Sequence, residues 1–286
     1  MLEVGDGLAA SLAGMLLADY GAQVTKIEPP GGVASRGAPS FHVYNRGKGS
    51  RLLDLSHAAG RNDLVRLSRD ANVVLVQGTA GEIERMGASE AVLGRLDLVH
   101  AAITPFGERG PMAEVPGDDA AAQAYCGIMA YQQAPDRSPM QTVLPFPSTA
   151  AGVLMVTAIA AALRQRVLTG LGQHVHVSLV SAALALQADS LTRAQGISYG
   201  DTWADDQAGR YPLFRLYKAQ DDWFAITCGH EQFWYRLALL LEHPEWISDP
   251  RLENAPWGIG PEGRAFITGE LARIFASRPR AEWLET

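Results

Sequence analysis

At 286 residues the chain exceeds the usual size of a single core, so two domains are expected, with one large α/β unit the alternative. Hydrophobic residues at 47% with 19% charged describe an ordinary globular protein, and a formal charge of -7 leaves no overall basic footprint for nucleic acid. Two cysteines, Cys126 and Cys228, are too few and too far apart for a disulfide scaffold or a zinc site, and the longest uncharged apolar run, Thr149 to Leu163, falls short of a membrane span. With no basic-then-apolar leader, the expectation is a cytoplasmic protein with neither nucleic-acid nor membrane partners.

The first half alternates short β-rich runs with helical patterns. "MLEV" reads as a strand, Leu8 to Tyr20 as a helix and "AQVTKIE" as the next strand, followed by a loop from Pro29 to Gly49. "RLLDL", a helix over Asp63 to Arg69, "NVVLV", a helix over Ala88 to Leu96 and "LVHAAIT" continue the pattern. Such alternation predicts a parallel sheet with right-handed crossovers and helices on both faces, a Rossmann-like α/β architecture.

A Gly/Pro-rich loop at 105–117 leads to a helix from about Asp118 to Tyr131. Then comes "LPFPSTAAGVLMVTAIAAALRQRVLTGLGQ" at 144–173, a proline-stiffened lead-in, a hydroxyl pair and a long helix. Ala and Gly lie on most of its faces, which predicts close packing on all sides. "QHVHVSLV" reads as a strand and Ser181 to Arg193 as a helix. From about Gly196 the texture changes to an antiparallel hairpin around "AQDD" and an amphipathic helix over Glu231 to Leu241, a smaller α+β unit. The strand-like start and the one-turn helix of "RPRAEWLET" read as cut ends, a fragment or a chain completed by a partner.

Several stretches carry chemistry. "VGDGLAASLAG" resembles the glycine-rich turn of a dinucleotide fold, and Glu28 ends the next strand where a ribose-binding acid would stand, so a nicotinamide-dependent dehydrogenase is one reading. More often such glycines only make a tight turn. Arg46, Lys48 and Arg51 in "YNRGKGSRLLDL" suit phosphates or form a solvated loop. "GEIERMG" at the carboxyl end of a strand offers Arg85 and Met86 to a charged group and a ring face. His174 and His176 share a strand face, but no third ligand is apparent and no metal is assigned. Asp118 and Asp119 open a helix, where acids are routine caps, and Ser148 at the mouth of the long helix reads as its cap.

In order and spacing, "LADYGAQVTKIEPPGG", "NRGKGSRLLDL", "ERMG", "ITPFGERGP", "AAALRQRVLTGLGQHVHVSLVSAAL" and "FRLYKAQDDWFAITCGHEQFWYRL" with "RAEWLET" resemble the family III CoA transferases of CaiB/BaiF type. That group includes formyl-CoA transferase, carnitine CoA-transferase and α-methylacyl-CoA racemase. The resemblance implies a Rossmann-like CoA-binding large domain over residues 1–195, a smaller domain over 196–286, and two interlocked subunits, either a homodimer or a pair with a homologous half. It implies no permanently bound cofactor. Coenzyme A or acyl-CoA is the substrate and a carboxylic acid the acceptor.

Family chemistry rests on an aspartate at the mouth of the helix that begins in "STAAG", a position held here by Ser148, so the usual anhydride route lacks its nucleophile. In the racemase branch a histidine works with that aspartate; its position reads Asp118, and the following aspartate is kept as Asp119. At the positions that contact CoA, the resemblance places Asn45, Lys48, Leu53, Arg85 and Met86, with Ala9 and Gly78 beside them. Gly78, Thr79 and Ala80 replace the usual aromatic and Arg-Pro. The resemblance therefore leaves open an enzyme using Ser148 or Asp119, a racemase-like enzyme, a fused or paired half whose active site lies elsewhere, or a non-catalytic CoA-binding or scaffold subunit.

Overall fold

The computed structural model describes residues 1–131, 138–188, 195, 208–209 and 211–285. They form two compact units, residues 1–192 and 193–286.

In the first unit β1 (Leu2–Val4), α1 (Leu8–Asp19), β2 (Thr25–Glu28), α2 (Pro39–Tyr44), β3 (Gly49–Leu52) and α3 (Ala58–Ser68) are followed by β4 (Val73–Gln77), α4 (Ala80–Arg85), α5 (Glu90–Leu93) and β5 (Val99–Thr104). Next come α6 (Asp119–Tyr125), α7 (Ile128–Tyr131), α8 (Phe146–Thr169), β6 (His174–Ser178) and α9 (Leu179–Leu186). The six strands are all parallel, in the order β3-β2-β1-β4-β5-β6. This is the doubly wound arrangement, whose strand order reverses between β1 and β4.

Alternation along the central strands sends Leu75, Val99, Ala101 and Ile103 to the face covered by α1, α8 and α9. Val74, Val76 and Ala102 go to the opposite face, with Leu64 of α3, Ile83 of α4 and Leu93 of α5. Strands buried on both faces read as continuous apolar runs, and that is why "NVVLV" and "LVHAAIT" were legible as sheet interior.

Local departures from the sequence expectation have local causes. The loop expected from Pro29 to Gly49 contains a 3₁₀ turn (Ala34–Gly37) and α2, which opens on Pro39. A proline at the first helical position is pre-set for the turn, a signal easily masked by the surrounding glycines. The helix expected over Ala88 to Leu96 is one turn, stopped by Gly94 in the left-handed conformation at φ 60°. The helix expected to run from Asp118 to Tyr131 breaks at Gly127, φ 81°. Part of the helix expected over Ser181 to Arg193 lies outside the described residues.

Helix α8 departs most from expectation. Only one face is buried, through Ala151, Gly152, Met155, Ile159 and Ala162, while Val153, Leu154, Val167 and Leu168 are exposed. By length and composition alone it is apolar enough to cross a membrane, with mean hydropathy 1.8 over its richest stretch. Its buried face nonetheless seats on the sheet in the core cluster with α1 and α9.

The second unit has its own core. The hairpin β7 (Phe214–Lys218) and β8 (Trp223–Thr227) packs Tyr217 and Phe224 against Phe275 of helix Pro261–Phe275. Trp234 of helix Glu231–Leu240 stacks on Trp246 at 6.1 Å, both nearly fully buried.

Candidate functional site

The strand-order reversal opens two adjoining cavities of about 840 and 350 Å³ at the carboxyl edge of the sheet. They share Gly5 and Asp6 after β1, Leu55 and Ser56 after β3, and Met86 after α4; Arg61 and Arg85 line the larger one, Ile27, Val33 and Leu53 the smaller. Open α/β sheets bind ligands at this edge, and both volumes lie in the range of small-molecule sites. Arg61 is held in place by its own loop, Nη1 donating to the carbonyls of Leu55 at 3.1 Å and Ser56 at 2.9 Å. Arg85 ends α4, a helix fixed by a capping box in which Thr79 Oγ1 accepts the Glu82 N–H and the Glu82 carboxylate accepts the Thr79 N–H. Two guanidinium groups beside an apolar wall of Leu53, Leu55 and Met86 can take phosphate and a flat ring together.

The structure therefore brings Leu53, Arg85 and Met86 together and places Gly78 beside them, where an added Cβ would lie 3.7 Å from Met86 Cε. Arg61, which no local motif singles out, joins them through its bonds to the Leu55 and Ser56 carbonyls after β3.

The remaining positions expected to contact a ligand lie elsewhere. Ala9 is fully buried in the core. Lys48 donates to Glu3 Oε2 at 2.7 Å, to the Ser11 carbonyl at 2.8 Å and to Asn45 Oδ1 at 3.0 Å, so both Lys48 and Asn45 are spent inside the fold. Lys26 takes the other Glu3 oxygen at 2.7 Å. All three charged side chains are at most 2% exposed. A basic glycine-rich turn looks the same in sequence whether its lysine faces solvent or a buried carboxylate.

The same geometry removes the basis of the nicotinamide reading. The α1 N–H of Ala10, which a diphosphate would need, donates to Gln77 Oε1 at 2.9 Å. A Cβ at Gly7 would fall 1.9 Å from the Gln77 side chain, and Gly5 sits at φ 103° against the Gln77 carbonyl. These glycines admit a glutamine side chain and a close strand. Glu28 is likewise committed, accepting both Arg36 nitrogens at 2.6 Å, the Ser50 hydroxyl at 2.6 Å and the Val33 N–H at 3.4 Å.

The Arg36 hydrogen bond is the main reason the Glu28 carboxyl is pulled down from 4.5 to about 2, against the opposing effect of burial. A depressed folded-state value gives stability that is present above pH 4.5 and lost as pH falls toward about 2. Arg36→Ala is expected to lower stability at neutral pH and to flatten the acid limb across that window, read as urea midpoints from pH 2 to 7.

A second feature stands at the same edge. The α8 residue Arg166 pairs at 2.8 Å with Asp97 just before β5, so α8 runs against the strands and begins at their carboxyl edge. Its second turn lies against α1, where a Cβ on Gly152 would meet the Ala9 carbonyl at 2.9 Å. The helix is flanked by Pro145 and carries Pro147 in its first turn, so that turn has few free amides. Phe146 N–H turns back to the Leu144 carbonyl and Thr149 N–H reaches the Pro145 carbonyl, both at 2.9 Å. The Ser148 N–H donates to Asp119 Oδ1 at 2.8 Å.

Ser148 is therefore not the cap expected of it. It lies inside the first turn, 2% exposed, and a carboxylate from α6 does the capping. Asp119 is aimed by Gln123, which is fully buried, donates to Asp119 Oδ2 at 2.8 Å and accepts the N–H and hydroxyl of Thr142 at 2.9 and 3.0 Å. Asp118 caps α6 through the Ala121 N–H at 2.9 Å and stays exposed. Gln123 was invisible in "AAAQAYCG", where it reads as one more polar helix residue. Among the described residues no cluster of three or more acids, histidines or cysteines could hold a metal ion.

Comparison with known proteins follows this geometry. The sequence model of CoA-transferase family III matches residues 1–286. The acetyl-CoA:oxalate CoA-transferase of Acetobacter aceti is 30% identical over 283 residues, covering 94% of this chain and 72% of that protein. The crystal structure of Rv3272 from Mycobacterium tuberculosis superposes with a TM-score of 0.80 at 27% identity, over 100% of this chain and 77% of that one. A CAIB/BAIF family protein from Brucella suis gives 0.76 at 30% identity, over 99% and 79%.

Proposed function

Because the chain belongs to CoA-transferase family III, whose members act on acyl-CoA thioesters, we propose that it moves coenzyme A between carboxylic acids from the cavity at the β1/β4 reversal. The nucleotide end of the substrate lies against Met86 and Leu53, with its phosphates at Arg61 and Arg85. The thioester end reaches the mouth of α8, which opens on the same edge of the sheet.

The observation that carries this reading is the carboxylate at that mouth. A serine hydroxyl is un-ionised near neutral pH and needs an adjacent base to attack a thioester. Ser148 thus leaves the usual seat without an anion, and Asp119 supplies one from the neighbouring helix, on the Ser148 N–H. Its oxygens each retain a lone pair beyond the hydrogen bond accepted. Attack by Asp119 forms a C–O bond to the acyl carbon, breaks the C–S bond and releases CoA as thiolate. The acceptor carboxylate then takes the acyl group from Asp119, and the thiolate attacks the resulting anhydride to give the new thioester and free the donor acid. Two copies of the chain form the working unit.

Incubation with acetyl-CoA is expected to leave a hydroxylamine-sensitive acyl group on the peptide carrying Asp119, absent in Asp119→Asn. A second reading, a CoA-binding subunit without turnover, draws on both Asp119 oxygens already accepting hydrogen bonds. It expects CoA to bind with no adduct on Asp119 or Ser148.

A further inference from the structure

At the β5–β6 edge three side chains form one hydrogen-bonded chain. His100 Nε2 meets the Ala88 carbonyl at 2.7 Å, His100 Nδ1 meets His174 Nδ1 at 2.8 Å, and His174 Nε2 lies 2.9 Å from both oxygens of Glu108. The two rings stack at 5.0 Å. Parallel register sets His100 opposite His174, and Glu108 reaches them from the loop that leaves β5.

Three contacts need three protons. A carbonyl carries none, so His100 Nε2 must donate. The contact between the two Nδ1 atoms needs a single proton, and the contact with the carboxylate needs one on His174 Nε2. Two neutral imidazoles supply only two. With Glu108 ionised, the geometry is satisfied when His100 is neutral and His174 is an imidazolium facing Glu108. Burial pushes the His100 imidazole below its ordinary value, consistent with its being the neutral member.

Among the described residues, two further titratable groups act on the chain. Glu90 faces His100 from α5, and His176 on β6 feels both Glu108 and His174. His176 is held apart, its Nε2 at 2.9 Å from Thr104 Oγ1, which also accepts the Gly107 N–H at 2.9 Å.

We propose that His100, His174 and Glu108 form a proton-operated latch: one proton held on the chain clamps the loop at 105–117 to the edge strand, and loss of that proton releases it. When His174 deprotonates, one of the three contacts is left with two facing lone pairs, and the half-exposed carboxylate of Glu108 is the member free to move to water. The loop is placed to transmit the change. Its Glu114 accepts the Gly81 N–H of α4 at 3.0 Å, and it runs directly into Asp118 and Asp119 of α6. The latch stands apart from the CoA reading, since none of its three groups lines the cavity.

The test is made on the full chain without ligand. Imidazole ¹⁵N shifts of His174 and amide protection factors for residues 106–113 are followed from pH 5.5 to 9. Protection is expected to fall about five-fold as the three-residue chain loses its proton, the upper end for a partly exposed ion pair. Glu108→Ala is expected to show low protection at every pH with no step, and Glu108→Gln an intermediate level with the step flattened. A His174 that is neutral at pH 5.5 while the loop is protected would overturn the latch. So would protection independent of pH, or a step that survives in Glu108→Ala.

Discussion

Glu3→Gln is expected to cost about 3–5 kcal/mol of stability, because it leaves the buried ammonium groups of Lys26 and Lys48 without their shared counter-charge. Both lysines reach Glu3 from different elements, Lys26 from β2 and Lys48 from the turn before β3, so the change loosens three of the six strands at once. The reverse deletion behaves differently. Burial holds the Lys48 amine below its ordinary value, so its ionised form is carried at a cost, and Lys48→Met with Glu3–Lys26 intact is expected to be near neutral or mildly stabilising. Urea midpoints of the two variants check the asymmetry. Equal losses would mean that Lys48 acts as more than a buried partner.

Arg85→Ala and Arg61→Ala are each expected to weaken coenzyme A binding about 10- to 100-fold, the range of a charge-assisted hydrogen bond to phosphate. Arg61 is the more discriminating of the two. Two backbone carbonyls already orient its guanidinium, so its loss removes a prepared donor, and Arg61→Lys is expected to recover little of the affinity. Calorimetric titration reads all three variants. An Arg61→Ala affinity equal to the unmutated chain would take the phosphates out of the larger cavity.

How much of this was legible in the sequence depends on which physical signal each residue carried. Strands buried on both faces announce themselves as apolar runs, so β4 and β5 and the doubly wound class were readable. Arg85 and Met86 were readable too, because they follow closely on the carboxyl end of a strand, the edge at which open α/β sheets bind ligands. Lys48 and Gln77 were not. The one looks like a solvated loop lysine and the other like the polar end of a strand, and only the spatial meeting with Glu3 and with the Ala10 amide gives them their tasks. Ser148 misled for a related reason. A hydroxyl after proline fits the local rule for a cap, but Ser148 lies inside the first turn, and its own N–H is the donor capped by Asp119, 29 residues earlier in the chain. Long-range capping leaves no mark on local spacing.

The central claim is that an acyl-CoA nucleotide lies at the β1/β4 reversal against Met86. The most direct measurement is a titration of the chain carrying ¹³C-methyl methionine, with the Met86 signal assigned through Met86→Leu. Coenzyme A is expected to shift that signal saturably and NADH to leave it in place. A Met86 signal that moves with NADH and stays fixed through saturating coenzyme A would contradict the account.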